Sequence, residues 1–411
     1  MKDFIKKSKG KLWAVKLFFV RHFLGNPSRK LKIVGVTGTN GKTTTVTLLY
    51  RIALALGYKA GLVSTVEILN NEEKIVLGKS GPGTTPDSVA LTQIFAKMVK
   101  SGCEYVFMEV SSHAMDQNRV AGVDFVGGIF TNLTHDHLDY HKSMENYFLA
   151  KKKFFHMLSP HAFALSNIDD EHGKMMLEKI KAHPFLYGFN KADFEGKINK
   201  IDFSGLELSF NDIKIVSKLL GKFNAYNLLA VWSASSLLGF EMQKVNKILE
   251  NIEPPRGRFD HFMAKNGVLA IVDYAHTPDA VEKILSAIKE IKKPEGRIIC
   301  LLGCGGDRDP LKRRIMGKMS ATMSDVAFFT SDNPRSEDPE KIIAEMKTDL
   351  SMTDLGKLRV VVDRHEAILQ AVKEAKSGDI ILCAGKGHED YQEIKGVRHH
   401  FNDMEELKNA L

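Results

Sequence analysis

Cysteine is scarce in this chain: Cys103, Cys300, Cys304 and Cys383 are the four it has in 411 residues. Scattered in this way they make no disulfide framework. Cys300 and Cys304 stand four apart with no second pair near them, which excludes the usual zinc spacings. Reduced thiols in a cytoplasmic protein are the plainer reading. Long blocks of one charge are lacking too, as is the aromatic-interleaved pattern of an RNA-binding surface. The excess of 58 Lys and Arg over 50 Asp and Glu, +8 in all, therefore points to an enzyme of anionic substrates and not to a nucleic-acid partner. No run is fit to span a bilayer. Residues 11–24 (KLWAVKLFFVRHFL) are too short and are broken by Lys16 and Arg21, and Asn26-Pro27-Ser28 is no small-residue cleavage site. That stretch reads as a basic amphipathic helix docked on the body, with a partner protein or a membrane surface as the alternative contact. The uncharged stretch 223–240 is threaded with Asn and Ser and reads as a buried helix. Internal repeats and low-complexity tracts are absent.

What is present is globular: 44% hydrophobic and 26% charged residues, at a length that suits two or three domains. Strands are expected at 31–37, 59–66, 104–110 and 125–132. Helices are expected from about Lys42, over 88–100 and over 145–158. This alternation means a parallel sheet covered on both faces. Residues 160–220 are choppier and suggest a small antiparallel addition, followed by a helix over 224–239. Pro254-Pro255-Arg256-Gly257 marks a domain junction. A second alternation follows, with strands at 268–273, 297–303, 325–330, 358–362 and 379–384.

Gly38-Thr39-Asn40-Gly41-Lys42-Thr43, continued by Thr44, follows a strand and opens a helix. Glycines let backbone amides turn inward toward phosphate, the helix N-terminus adds its dipole, Lys42 supplies a cation and Thr43 a ligand for magnesium. The strict loop spacing would need glycine at 36; Val36 stands there and Gly35 is one residue early, so this is a variant phosphate loop. The fold class is therefore α/β: a P-loop central ATP-binding domain with a parallel sheet, plus a C-terminal Rossmann-like α/β domain. Glu109 ends the apolar strand EYVFMEV, where a carboxylate faces the nucleotide crevice and can hold magnesium; a solvated or capping Glu is the alternative. His135, Asp136, His137, Asp139 and His141 crowd one stretch. By composition they suit a transition metal, and an extended segment would point the rings of His135 and His137 the same way. His141 reads as structural.

VTGTNGKTTT resembles the ATP loop of the Mur ligases, which make the amide bonds of peptidoglycan precursors. MEVSSHAMDQNRV (108–120), TNLTHDHLDYH (131–141), VDYAHTPDA (272–280), GCGGDRD (303–309), SDNPRSEDP (331–339) and AGKGHEDYQEI (384–394) carry the resemblance in order over about residues 20–411. They point to the branch of that family that adds the third peptide residue. The implied organisation is an N-terminal helix and connector (1–30), a central ATP-binding domain (31–257) and a C-terminal amino-acid-binding domain (258–411). The implied activity is ATP-dependent addition of meso-diaminopimelate to the D-glutamyl carboxylate of UDP-MurNAc-L-Ala-D-Glu through an acyl phosphate.

The same resemblance implies roles for residues. Thr43, Glu109, His137 and Lys151 would hold two Mg2+ ions, with Lys151 carbamylated; Lys152 and Lys153 adjoin it, so three solvated lysines on a helix face are the alternative. Thr84, Thr85, Ser111, Gln117 and Arg119 would hold the muramoyl dipeptide, after the turn Gly81-Pro82-Gly83. Asn224 and Asn227 lie in the adenine-side segment. Arg258 would reach ATP from the junction, and Asp273 and His276 would face the nucleotide. Asp332, Asn333, Pro334 and Arg335, with Arg308, Gly385 and Glu389, would bind diaminopimelate; lysine-adding relatives depart at the arginine, which can clamp the extra carboxylate. The family also carries an N-terminal domain that grips the uridine nucleotide, and the stretch before Gly38 is too short to fold as one. The alternatives are weak substrate binding, a partner that supplies the domain, or a lipid-linked or free muropeptide acceptor. A ligase of another γ-glutamyl acceptor and a non-catalytic nucleotide-binding scaffold are the competing functions; Lys42, Glu109, His137 and Lys151 together weigh against the scaffold.

Overall fold

The two alternations fold as two sheets. The computed structural model describes residue 20, residues 22–76 and residues 84–411. Most of the amphipathic stretch 11–24 and the turn Gly81-Pro82-Gly83 lie outside the described residues. The chain divides into two compact units, one holding the described residues up to Asn199, Glu207–Ser217 and Phe223–Ile252, the other Lys200–Leu206, Lys218–Lys222 and Glu253–Leu411.

In the first unit, β1 (Lys32–Thr37), β2 (Ala60–Val63), β3 (Ile68–Asn70), β4 (Glu73–Lys74), β5 (Tyr105–Glu109), β6 (Phe125–Phe130), β7 (Phe163–Asn167), β8 (His183–Gly188), β9 (Phe194–Asp202), β10 (Gly205–Phe210) and β11 (Ile213–Ser217) form one sheet. Its order is β11-β10-β9-β8-β7-β6-β1-β5-β2-β3-β4. The β-branched strand KIVGVT sits centrally, parallel to β5 on one side and β6 on the other. Val36 aligns with Glu109, and Thr37 with Phe130. The C-terminal ends of three neighbouring strands therefore open at one edge, where loops of parallel sheets carry their ligands.

The helices that position residues there are α1 (Lys42–Ala55), α2 (Ser88–Lys100), α3 (Ser112–Asp116), α4 (Leu138–His141), α5 (Met144–Met157) and α6 (Lys222–Leu237). A Cβ on Gly35 of β1 would come within 2.5 Å of the Phe154 ring, and one on Gly128 of β6 within 2.9 Å of it. Glycine at both positions lets α5 lie close on the sheet, and α5 carries Lys151 one turn before Phe154.

The expected antiparallel addition is confined to β9, β10 and β11, which follow one another across two-residue turns at the edge of the sheet, with Asn211 N donating to Glu195 O; the strands before them run parallel. β7 pairs parallel with β6, β8 with β7, and β9 with β8, so these strands extend the main sheet. The reason lies in the connection: α5 returns the chain across the sheet, so β7 re-enters in the direction of β6. The strands toward this edge are partly exposed, β9 especially, so their sequences lack the apolar runs that mark a central parallel strand.

In the second unit, β12 (Asp260–Met263), β13 (Leu269–Asp273), β14 (Ile298–Leu302), β15 (Val326–Phe329), β16 (Leu358–Val360) and β17 (Ile380–Ala384) form a sheet of order β12-β13-β17-β14-β15-β16. All but β12 run parallel. The inner strands are buried on both faces, with Ile271, Leu302 and Leu382 in one apolar core and Val272, Leu301 and Ile381 in the other. Helix α7 (Pro278–Ile291) starts under a Thr277 cap with proline in its first turn, and gives Leu285 and Ile288 to the first core. β18 (Tyr391–Ile394) and β19 (Val397–His400) form an antiparallel hairpin.

Two further helices, α8 (Arg364–Glu374) and α9 (Asp403–Ala410), are joined at their first residues. The Arg364 guanidinium meets both carboxylate oxygens of Asp403 at 2.7 Å, with neither side chain exposed. Removing one partner leaves the other charge buried and unpaired. Asp403→Ala is expected to destabilise the protein by about 3–5 kcal/mol, read as a lowered midpoint in urea unfolding; a change below about 1 kcal/mol would contradict this reading.

Candidate functional site

After β1 the chain turns through Gly38 (φ +152°) and Gly41 (φ +82°) and enters α1 at Lys42. Both backbones sit where a Cβ has no room: at Gly38 it would strike the Thr131 side chain, at Gly41 the Asn227 amide. The loop is braced from β6 and beyond. Thr39 N donates to Asn132 O (2.8 Å), Asn40 N to Asn132 Oδ1 (2.9 Å), and Thr131 Oγ1 to Asn40 O (2.6 Å). Thr39 Oγ1 meets the Tyr147 hydroxyl at 3.1 Å. Lys42 folds its amine back over the loop, onto Gly38 O (2.8 Å) and Thr39 O (2.7 Å). Thr44 is buried in the first turn of α1. On α6, Asn227 donates to Asn224 Oδ1 at 3.0 Å, which turns its own oxygen toward Gly41.

Glu109 is buried beside this loop. Its Oε1 accepts from Thr43 Oγ1 (2.8 Å) and Thr65 N (2.8 Å), and its Oε2 from Thr65 Oγ1 (3.1 Å). Of the three adjacent lysines, Lys151 alone turns into the loop. It is 1% exposed, donates to Gly38 O at 2.7 Å and lies 4.4 Å from the Tyr147 ring centre. Lys152 reaches toward Glu178, and Lys153 binds Met115 O and Asn118 Oδ1. Burial first, then the nearby Lys42 charge, hold the Lys151 amine well below the usual lysine range, against a weaker pull from Asp136.

His137 departs from the extended segment expected for it. It has φ +54° and caps α4, with its ring half-exposed and 4.9 Å from the His113 ring. The left-handed backbone at His137 breaks the straight segment on which the two rings would have paired. Partial burial lowers its pKa, opposed by Asp136. His141 points inward onto Ser112 Oγ (2.9 Å). Among the described residues no group of three or more His, Cys, Asp or Glu converges as a metal site, which leaves the transition-metal alternative without a donor set. Magnesium is a better match: the Thr43 hydroxyl and the Glu109 carboxylate are hard oxygen donors already in contact.

Thr85, Ser111, Gln117 and Arg119 form one bonded network. Thr85 Oγ1 donates to Glu109 O (2.9 Å) and accepts from Ser111 N (3.1 Å). Arg119 donates to Thr85 O (2.7 Å) and, through two nitrogens, to Gln117 Oε1 at 2.9 and 2.6 Å. Thr84 precedes this network, partly buried. Thr85 is thereby tied to the strand end that bears Glu109.

In the second unit the C-terminal ends of β13, β14, β15 and β17 open together. Asn333, 2% exposed, donates to Glu389 Oε2 (2.7 Å) and accepts at Oδ1 from Glu393 N (2.8 Å) and Lys386 (3.3 Å). Asp332 is buried and binds Asn333 N at 2.6 Å; a Cβ on Gly385 would come within 2.7 Å of its carboxylate. Arg335 (φ +51°) donates to Gly306 O (2.6 Å), and Pro334 packs on Gly306. Arg335 and Arg308 flank Gly305. Burial and the Asp332 charge raise the Glu389 carboxyl, while Lys386 and Asn333 lower it.

Asp273 ends β13 and accepts from Phe259 N at 2.7 Å. Arg258 stacks on the Tyr274 ring at 4.9 Å, and its buried Nε has no acceptor among the described residues. His276 bonds Tyr274 O at 2.7 Å, and the Tyr274 ring lies 5.1 Å from that of His388. Sequence reasoning missed Thr65, Tyr147, His113, Tyr274 and Lys386. Only Tyr274, His113 and Lys386 sat inside noticed motifs; Thr65 and Tyr147 carry no local signal.

Residues 36–235 match a family model described as the Mur ligase middle domain, and residues 257–387 one described as Mur ligase, glutamate ligase domain. The chain is 49% identical over 393 residues to a UDP-N-acetylmuramoyl-L-alanyl-D-glutamate--2,6-diaminopimelate ligase of Parabacteroides distasonis, across 95% of this chain and 80% of that protein. It is 48% identical over 390 residues, with the same coverage, to the enzyme of that name from Bacteroides thetaiotaomicron. A solved structure of a protein with that name superimposes with a TM-score of 0.66 at 34% identity, over 92% of this chain and 78% of the other. A folylpolyglutamate synthase of Thermotoga maritima, 16% identical with a TM-score of 0.70 over 90% and 89% of the two chains, shares the fold.

Burial pushes the Asp273 carboxyl from 3.8 up to about 6, although Arg258 and two backbone amides pull it down. The folded state thus takes up a proton at higher pH than the unfolded state, so this group disfavours folding above about pH 6 and its penalty fades as pH falls toward 4. The stability difference between wild type and Asp273→Asn is expected to shift toward wild type by up to about 3 kcal/mol between pH 7 and pH 4. Parallel urea titrations at the two pH values measure it, and a pH-independent difference would contradict the raised value.

Proposed function

The chain belongs to the Mur ligase family, and on that footing we propose that it is an ATP-dependent ligase joining meso-diaminopimelate to the D-glutamyl carboxylate of UDP-MurNAc-L-Ala-D-Glu in peptidoglycan precursor synthesis. The observation that carries the amino-acid choice is the mixed-charge mouth of the second sheet. Arg308 and Arg335 flank Gly305, while Asp332 and Glu389 share Asn333 and Gly385 sits against Asp332. An amino acid with an ammonium and an additional carboxylate matches such a pairing, and a planar guanidinium suits that carboxylate.

In the first unit, the inward amides of the loop and Lys42 suit a polyphosphate. Thr85, Ser111, Gln117 and Arg119 suit the acceptor, beside Glu109. The D-glutamyl carboxylate oxygen takes the γ-phosphoryl group of ATP, the bond to ADP breaks, and an acyl phosphate forms. The amine lone pair of diaminopimelate adds to its carbonyl carbon, and the tetrahedral intermediate expels phosphate as the amine loses its proton. Lys42 would offset charge on the transferred group. Magnesium, when bound, neutralises charge on the phosphates, with Thr43 and Glu109 suited to one ion and His137 and a carbamylated Lys151 to a second. The depressed pKa of Lys151 supports that modification: a neutral amine can add to carbon dioxide and, losing a proton, present carboxylate-like oxygens. Asn227, Arg258, Asp273 and His276 are assigned to the nucleotide on the family pattern alone. No helix among the described residues is long and apolar enough to cross a membrane, and nucleotide-linked precursor synthesis is chemistry of the cytoplasm.

The test is incubation with ATP, magnesium, UDP-MurNAc-L-Ala-D-Glu and either meso-diaminopimelate or L-lysine, read by mass spectrometry and phosphate release. Diaminopimelate-dependent tripeptide is the expected product. ATP hydrolysis without it would overturn the substrate assignment. Arg335→Ala is expected to raise KM for meso-diaminopimelate by about 10²-fold or more while KM for ATP stays within about threefold.

A further inference from the structure

Lys386 lies between Gly385 and Gly387 in the loop after β17 and has no exposed surface. It therefore touches no substrate. Its amine donates to Tyr391 O (2.5 Å) and to Asn333 Oδ1 (3.3 Å), and stands 3.6 Å from Glu389 Oε2. The same Asn333 oxygen accepts from Glu393 N, while Asn333 Nδ2 donates to Glu389 Oε2. Two donors thus hold one end of the amide, and the carboxylate holds the other. A flipped amide would set its NH2 against an ammonium and an N–H, and its oxygen against a carboxylate.

We propose that Lys386 is a positioning residue for the amine substrate: from behind the site it fixes the Asn333 amide and the charged Glu389 carboxylate in the orientation that receives the substrate ammonium. The inference rests on the assignment of Glu389 to diaminopimelate made above. The groups that face Glu389 are Lys386 and Tyr391 from its own loop and hairpin, Asp332 and Arg335 from the loop after β15, and Tyr274 from the end of β13. Asp332 opposes the Glu389 charge, and Lys386 is the fully buried cation among these groups. Without it, Glu389 would protonate at higher pH and lose its hold on an ammonium.

Steady-state kinetics with the full chain test this. Lys386→Met is expected to raise KM for meso-diaminopimelate about tenfold or more, with kcat and KM for ATP within about threefold. Its rise in KM on acidification should begin at higher pH than in wild type. In a Glu389→Gln background the same change should add less than about twofold, because the group it acts through is gone. Should Lys386→Met not give a cooperative thermal transition, Lys386→Gln, which keeps a donor for Tyr391 O, takes its place in the same comparison. An unchanged KM for diaminopimelate, or equal effects in the two backgrounds, would overturn the positioning role while wild-type turnover leaves the function standing. Absence of diaminopimelate-dependent product from wild type would overturn the function and this inference together.

Discussion

Parallel pairing of β1 with β5 and β6 is the constraint on which the first unit depends. Because Val36 aligns with Glu109 and Thr37 with Phe130, the phosphate loop, the buried carboxylate and Thr131 emerge side by side. A shift of one residue would turn every side chain of β1 to the opposite face. It would also carry Gly38 away from Thr131 and Lys151. The register is itself held by burial, since Ile33, Val34 and Val36 have no exposed surface. Apolar packing in the middle of the sheet thus sets polar geometry at its end.

Lys151 shows the consequence for chemistry. Glycines at 35 and 128 admit Phe154 against the sheet, α5 follows it down, and the amine three residues earlier is brought to Gly38 O in a dry setting. Burial and the neighbouring Lys42 then disfavour its charge. The same residue on the outward face of α5 would stand in solvent, where Lys153 is exposed.

The second unit repeats the strategy with a different outcome. Its strand ends gather cations and anions on short loops stiffened by glycine, left-handed backbone at Arg335 and the buried Lys386–Asn333–Glu389 cluster. A rigid surround of this kind keeps charged groups apart and oriented before a zwitterion arrives, which reduces the ordering that binding requires. The Arg364–Asp403 pair anchors the helices behind it without entering the site.

Strands and helices of both alternations were legible because buried parallel strands are short β-branched runs between glycine turns. The phosphate loop was legible because its chemistry is local: consecutive residues, one turn, one helix start. Candidate residues within motifs, such as Asp332 to Arg335, could be singled out for the same reason. What could not be read was any relation between motifs. The resemblance picked Lys151 over its two neighbours, but the physical reason for it, burial against the loop, needed the packing of α5; His137 capping a short helix needed the turn that breaks an apparently extended segment. The support given to Glu109 by Thr65 came from the loop after β2, 44 residues away in sequence, and the direction of β7 came from a crossover. Local residue order thus determined the elements and their chemical repertoire. Burial, register and the side chains met across the sheet decided which of those groups face one another, because these depend on contacts between residues far apart in the chain.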